Sequence, residues 1–133
     1  MGRGGLFDPP PRGKRGRENG LLWLFEPLEA DAGYGRRRMF GCEAAYLDGL
    51  LCLVLSDREP PWDGLLVCTD RTRHGPLQAE FPALRMHPQL GKWLYLPQDD
   101  PLFETQAAAL VRLALARDAR IGVAPPPPRR LKR

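Results

Sequence analysis

The chain has 133 residues, of which 43% are hydrophobic and 27% charged, and its net charge is +4. This length suits one domain with a single core, and the composition is that of a globular protein. No run of about 18 apolar residues occurs, and the first residues lack the apolar core of a signal peptide, so we expect a cytoplasmic protein without a membrane segment.

The basic residues are concentrated at the two ends of the chain. Residues 1–17 and 129–133 together carry a net charge of +8, which leaves −4 for residues 18–128. Gly, Pro and Arg dominate residues 1–18, and four prolines followed by basic residues make up most of 124–133. Such compositions bury little apolar surface. We therefore predict a disordered basic arm over 1–18, a folded domain over 19–123 and a Pro/Arg-rich tail over 124–133.

The folded part is predicted to begin with a helix. Asn19 is a suitable N-cap, and apolar residues recur at helical spacing between Leu21 and Leu28. Pro27 removes one backbone hydrogen bond from this pattern. A short or kinked helix is expected.

The middle of the chain has the pattern of β-strands. The dipeptide Asp48-Gly49 is typical of two-residue hairpin turns and separates two apolar runs. Residues 70–91 contain Gly, Pro and both histidines without a sustained period, and they are predicted to form a loop. The predicted strands are 39–47, 50–55, 64–69 and 92–96.

A longer helix is predicted at the end of the domain. Asp99 or Asp100 can cap it, and Pro101 suits its first position. Its apolar stripe consists of Phe103, Ala107, Leu110, Val111 and Ala114. Because strands and helices do not alternate along the chain, the order favours an α+β fold, with an antiparallel sheet and helices packed on one face.

Two stretches resemble a known family. Arg37-Arg38-Met39-Phe40-Gly41, followed by Tyr46-Leu47-Asp48-Gly49, is similar to the RRMFGG…YxDG stretch with which TfoX N-terminal domains enter their first hairpin. Lys92-Trp93-Leu94-Tyr95-Leu96-Pro97 resembles the Trp-containing strand of TfoX-like and MmcQ/YjbR-like proteins. Cys42 stands where family members usually have a second glycine. We take Met39, Phe40, Gly41, Asp48, Gly49 and Trp93 as the motif residues.

The resemblance implies a two-layer arrangement similar to the fold of type III secretion chaperones. It also implies a link to the regulation of natural competence in bacteria. The family supplies no catalytic residues to carry over to this chain.

Three consecutive cations, Arg36, Arg37 and Arg38, are the candidate contact residues for a ligand or partner. They are suited to a phosphate or a carboxylate, which arginine binds through charge-assisted hydrogen bonds. Side chains alternate along a strand, so all three cannot face one ligand. The alternative is that one arginine pairs with a nearby carboxylate while the others are solvated, as most surface charges are.

Catalytic and metal-binding patterns are absent from the sequence. His74 and His87 have no carboxylate or thiolate partners at metal-site spacing, which favours structural or surface roles. Cys42, Cys52 and Cys68 are scattered among apolar residues, which is typical of reduced, buried thiols. With no nucleophile elbow or phosphate loop, we predict no enzymatic activity, no metal and no cofactor.

Three functional hypotheses follow. The first is a non-enzymatic interaction or regulatory module of the TfoX N-terminal type, whose partner is another protein or a second copy of the chain in a homodimer. The second is a nucleic-acid-binding regulator that uses the basic tails, with nonspecific and salt-sensitive affinity. The third is a small-molecule binder with its ligand between the sheet and the loop 70–91, near Trp62, His74 and His87.

Overall fold

The computed structural model describes residues 19–39 and 41–125 as an antiparallel sheet with helices on one face. The sheet has six strands in the order β1-β2-β3-β4-β6-β5. The strands are Tyr34–Met39 (β1), Cys42–Leu47 (β2), Leu50–Asp57 (β3), Asp63–Val67 (β4), Arg85–Met86 (β5) and Leu94–Pro97 (β6). The predicted α+β class is confirmed, whereas the likeness to secretion chaperones stays a prediction.

The helices cover one face of this sheet and form the larger core with it. They are a 3-10 helix over Leu22–Leu28, a short 3-10 turn over Arg71–Arg73 that runs into α1 (His74–Glu80), and α2 (Phe103–Leu115). The five predicted stripe residues of α2 are all buried. The predicted cap at Asp99 or Asp100 and the predicted start at Pro101 are wrong, because the helix begins at Phe103 with Leu102 as its N-cap and without a side-chain cap bond. Asp100 instead accepts a hydrogen bond from the backbone nitrogen of Leu102 at 2.8 Å, in the turn before the helix.

The first helix differs from its prediction in type. Its seven residues are a 3-10 helix that contains Pro27, which has no N–H to donate. The predicted N-cap Asn19 is wrong, because Leu21 is the N-cap; Asn19 accepts a hydrogen bond from the Leu21 nitrogen at 2.9 Å before the helix begins. The buried side chains of Leu24, Phe25 and Leu28 nevertheless pack on the sheet as the apolar pattern predicts.

The predicted strand over 39–47 is wrong, because the chain turns within it. Met39 ends β1 and Cys42 begins β2, and Gly41 between them has a φ of +78°, in the region that favours glycine. The motif Arg37 to Gly41 therefore spans the end of a strand and a turn. Phe40 lies outside the described residues.

Of two further predictions for the middle of the chain, the hairpin is confirmed and the loop is wrong. The Asp48-Gly49 hairpin is confirmed, with φ values of 52° and 83° at its two central residues. The predicted loop 70–91 in fact contains α1 and β5, which are too short to show a period in sequence.

The predicted arm 1–18 and residues 126–133 of the predicted tail lie outside the described residues. Within the described part of the chain, no helix is long and apolar enough to cross a membrane.

Candidate functional site

The face of the sheet opposite the helices carries an apolar cavity of about 350 Å³. Loops cover this face in place of helices, and a second, smaller cluster of buried residues lies beneath them. The lining residues are Met39, Cys42, Val54, Arg58, Trp62, Leu66, Leu90 and Trp93. Seven of these eight side chains are apolar, and Arg58 is the charged one.

The floor of the cavity is made by the central strands. Val54 on β3 lies opposite Leu66 on β4, and Ala44 on β2 lies opposite Val54, so these side chains share one face. Val54 and Leu66 are at most 2% exposed. The sheet register thus sets a rigid apolar base.

One wall is the connection between β3 and β4, which carries Arg58 and Trp62. The carbonyl oxygen of Trp62 accepts hydrogen bonds from the Ser56 hydroxyl at 2.7 Å and from the Arg58 nitrogen at 2.8 Å. The Trp62 nitrogen donates to the carbonyl of Glu59 at 2.7 Å. These bonds close a tight loop and fix the backbone of Trp62.

A second wall is the segment 87–93, which carries Leu90 and Trp93. The Trp93 nitrogen donates to the Leu90 carbonyl at 2.8 Å, and the His87 nitrogen donates to the Trp93 carbonyl at 3.1 Å. His74 on α1 makes a further bond of 2.9 Å between its Nε2 and the Lys92 carbonyl. The segment is therefore held both internally and by a helix.

His87 joins the two walls. Its Nδ1 accepts hydrogen bonds from the backbone nitrogens of Gln89 and Leu90, both at 3.0 Å. Because Nδ1 is an acceptor, the proton of the neutral ring is on Nε2, which donates to the Pro61 carbonyl at 3.0 Å. One buried imidazole thus ties the Leu90 wall to the Trp62 wall.

Aromatic contacts surround this imidazole. The ring of His87 lies 4.5 Å from Trp62 and 5.3 Å from Tyr95, measured between ring centroids, and the Tyr95 hydroxyl donates to Asp63. Burial lowers the pKa of His87, since the protonated ring is poorly solvated there, and the bond to Pro61 opposes this only in part. A neutral histidine is therefore the stable state of the site.

Arg58 lies at the rim of the cavity and packs against a glycine of the motif. A Cβ atom on Gly41 would be 2.5 Å from Arg58 Nη2 and 3.0 Å from its Cζ. Any other residue at position 41 would displace the guanidinium. Gly41 therefore has two roles, since it also makes the turn at positive φ.

A second and more polar cavity of about 680 Å³ adjoins the first. Leu90 and Trp93 line both cavities, and Asp70, Arg71 and Lys92 are charged lining residues of the second one. The two cavities thus share one wall and differ in polarity.

The structure brings only two of the three candidate arginines together. Arg36 and Arg38 lie on one side of β1 and face Glu43, at 3.6 and 3.2 Å. Arg37 lies on the other side, with its guanidinium carbon 5.6 Å from the centre of the Tyr46 ring. Two of the three cations are thus paired with one carboxylate, as the alternation of strand side chains requires.

The motif residues divide between two places. Met39 and Trp93 line the cavity, and Gly41 supports Arg58. Asp48 and Gly49 form the hairpin turn at the other end of β2 from Gly41. There Asp48 accepts a hydrogen bond of 2.7 Å from Arg117. The two stretches that carry the family resemblance therefore meet at the cavity, although they are about fifty residues apart in sequence.

Among the described residues, the three cysteines are buried and form no disulfide. Burial raises the pKa of Cys52 and Cys68, which disfavours their thiolates. Among the described residues, no group of three or more His, Cys, Asp or Glu side chains is placed to hold a metal ion.

Sequence reasoning did not single out Arg58 or Leu90. Neither belongs to a motif, and each lies in a loop whose path depends on the packing of distant residues. The prolines Pro60 and Pro61 indicated a turn beside Arg58, since proline presets the backbone angle φ in turns.

Comparisons with known proteins add no relative. No protein-family model matches the chain, and no match was found among curated proteins or solved structures.

Proposed function

We propose that this protein is a binding module for small apolar molecules, which it holds in the cavity between the sheet and its two covering loops. The observation that carries the proposal is the cavity of about 350 Å³ with seven apolar lining residues out of eight. Ligand sites are typically concave, mostly apolar and supplied with few polar groups, and this volume is at the small end of their range.

The way the walls are held supports the proposal. Protein interiors normally collapse onto empty apolar space, because voids forfeit packing contacts. Here Trp62 is fixed by Ser56 and Arg58, while the Leu90 wall is fixed by His87. Hydrogen bonds to the loop backbones fix both walls in position, which gives a preformed site at low ordering cost to a ligand.

The proposal ranks the small-molecule hypothesis above the other two. It is compatible with the interaction or regulatory module implied by the family resemblance, since a bound ligand would alter the loop surface that a partner meets. The nucleic-acid hypothesis depends on tails outside the described residues, and no contact within residues 19–39 or 41–125 favours it.

Tryptophan side chains provide a direct test. The chain has three, and Trp62 and Trp93 line the cavity while Trp23 is 47% exposed on the 3-10 helix. We expect toluene or 3-phenylpropanamide to shift the indole N–H signals of Trp62 and Trp93 saturably in NMR spectra, leaving the Trp23 signal in place. A cavity-filling variant, Val54→Phe, should abolish these shifts.

Two results would reject the proposal. One is the absence of a saturable shift with either neutral probe. The other is an equal shift of all three indole signals, which would indicate nonspecific association with exposed apolar surface.

A further inference from the structure

The cavity has one charged lining residue, and its position bears on the kind of ligand. Arg58 reaches the rim from the β3–β4 connection, and none of the lining residues is acidic. Within the described residues Arg58 makes no salt bridge. Its guanidinium therefore lies beside an apolar lining that contains no carboxylate, although Asp57 and Glu59 are its neighbours in sequence.

Other arginines of the chain contrast with Arg58. Arg117 bonds to Asp31 and Asp48, and Arg120 bonds to Asp118 and Glu80. In the adjoining polar cavity, the cations Arg71 and Lys92 are accompanied by the lining carboxylate of Asp70. Arg58 is thus the charged residue of a cavity whose other lining side chains are all apolar, whereas the adjoining cavity has both cations and a carboxylate in its lining.

The backbone of Arg58 is fixed at the cavity, since its backbone nitrogen donates to the Trp62 carbonyl at 2.8 Å. Its exposed guanidinium lies beside the bare backbone of Gly41. The planar donors of a guanidinium match the two oxygens of a carboxylate.

We propose that the ligand is a small aromatic carboxylate, with its ring between Trp62 and Trp93 and its carboxylate bonded to Arg58. This inference rests on the proposed function and names the ligand class for the same site. Aromatic rings pack well against indoles in offset or edge-to-face arrangements. The volume of about 350 Å³ suits a single ring with a short side chain.

A pair of probes separates charge from shape. Isothermal titration of the full chain with 3-phenylpropanoate and with 3-phenylpropanamide compares two ligands that differ in the charge of one group. We expect the carboxylate to bind about fivefold more tightly, because its two charged oxygens can accept parallel hydrogen bonds from the guanidinium whereas an amide has one neutral oxygen. Arg58→Gln should reduce carboxylate binding to the level of the amide and leave amide binding unchanged.

Arg112→Gln is the matched control, since it removes one positive charge from an exposed position on α2, on the other face of the sheet. It should leave both affinities unchanged. Equal affinities for the two probes would overturn the carboxylate inference while leaving the proposed function intact. The same follows if Arg58→Gln and Arg112→Gln lose equal affinity for 3-phenylpropanoate. If neither probe binds, the proposed function fails and the inference with it.

Discussion

The two faces of the sheet are made by the same alternating strands, yet they are covered differently. On one face, the 3-10 helix, α1 and α2 bury side chains such as Leu53 and Leu110 completely. On the other face, loops cover a smaller cluster and a cavity of about 350 Å³ remains. A helix presents a continuous apolar stripe that follows the sheet surface, whereas a loop contacts it at a few side chains.

The comparison indicates that the two faces divide stability and binding between them. The helix-covered face is stabilised by apolar burial. The loop-covered face depends on hydrogen bonds to loop backbones, above all those of His87, and it carries the apolar cavity.

The largest expected effect is the loss of stability when a leucine on the helix-covered face is changed to alanine. The same change on the loop-covered face provides the comparison. Leu110→Ala removes a fully buried side chain between α2 and the sheet and should lower the free energy of unfolding by about 3 kcal/mol. Leu90→Ala removes a half-buried side chain beside an existing cavity and should cost about 1 kcal/mol. Urea unfolding measures both values. Equal losses would show that the loop-covered face stabilises the fold as much as the helix-covered one.

A substitution at His87 tests whether polar bonds hold the cavity walls. His87→Phe keeps an aromatic ring but leaves the Gln89 and Leu90 nitrogens and the Pro61 carbonyl without their partner. Lost bonds of this kind in a buried site cost about 2 kcal/mol. His87→Asn, whose side-chain oxygen can accept from the same two nitrogens, should restore part of the loss.

Amide hydrogen exchange locates the effect of these His87 variants. Faster exchange at Gln89 and Leu90 in His87→Phe, and less so in His87→Asn, is expected. Unchanged stability and exchange in His87→Phe would mean that the walls are held by apolar packing alone.

The pH dependence of stability follows from the same residue. The pKa of His87 is lower in the folded protein than its ordinary value of 6.5, so the unfolded chain binds more protons between these two values. Its contribution to stability is complete above about pH 6.5 and is lost as the pH falls toward the folded pKa. Four aspartates have pKa values lowered from 3.8, so their contributions to stability are lost in a more acidic range than that of His87. They are Asp31, Asp48, Asp70 and Asp118.

Thermal unfolding between pH 7 and pH 5 measures the contribution of His87. The melting temperature of the wild-type protein should fall across this range, and that of His87→Asn should fall less. The same slope in both proteins would contradict the assignment of a buried neutral imidazole.

The smallest effect is expected at an exposed ion pair. Arg117 bonds to Asp31 at 2.8 Å and to Asp48 at 2.7 Å, joining the end of α2 to the hairpin turn, and it lowers the pKa of both carboxyls. Such exposed pairs are screened by solvent and salt. Arg117→Gln should therefore lower the melting temperature less than Leu110→Ala does, with a difference that shrinks in high salt. A loss as large as that of Leu110→Ala would show that this pair stabilises the fold beyond what an exposed position allows.

Local patterns predicted much of the helix-covered face. The stripe of α2 and the Asp48-Gly49 hairpin depend on spacing and turn chemistry within a few residues, and both are found as predicted. The turn at Gly41 was missed because one glycine in an apolar run does not by itself distinguish a turn from a strand. The elements α1 and β5 within residues 70–91 were not predicted, because elements of seven and two residues have no measurable period.

The sequence by itself determined the class of the fold, the hairpin and the buried face of α2, because these follow from local periodicity and backbone preference. Only the tertiary structure decided the candidate site. Met39, Arg58, Trp62 and Trp93 come together because the strand order and register place distant segments side by side, and His87 then ties the two walls through backbone groups that carry no sequence signal.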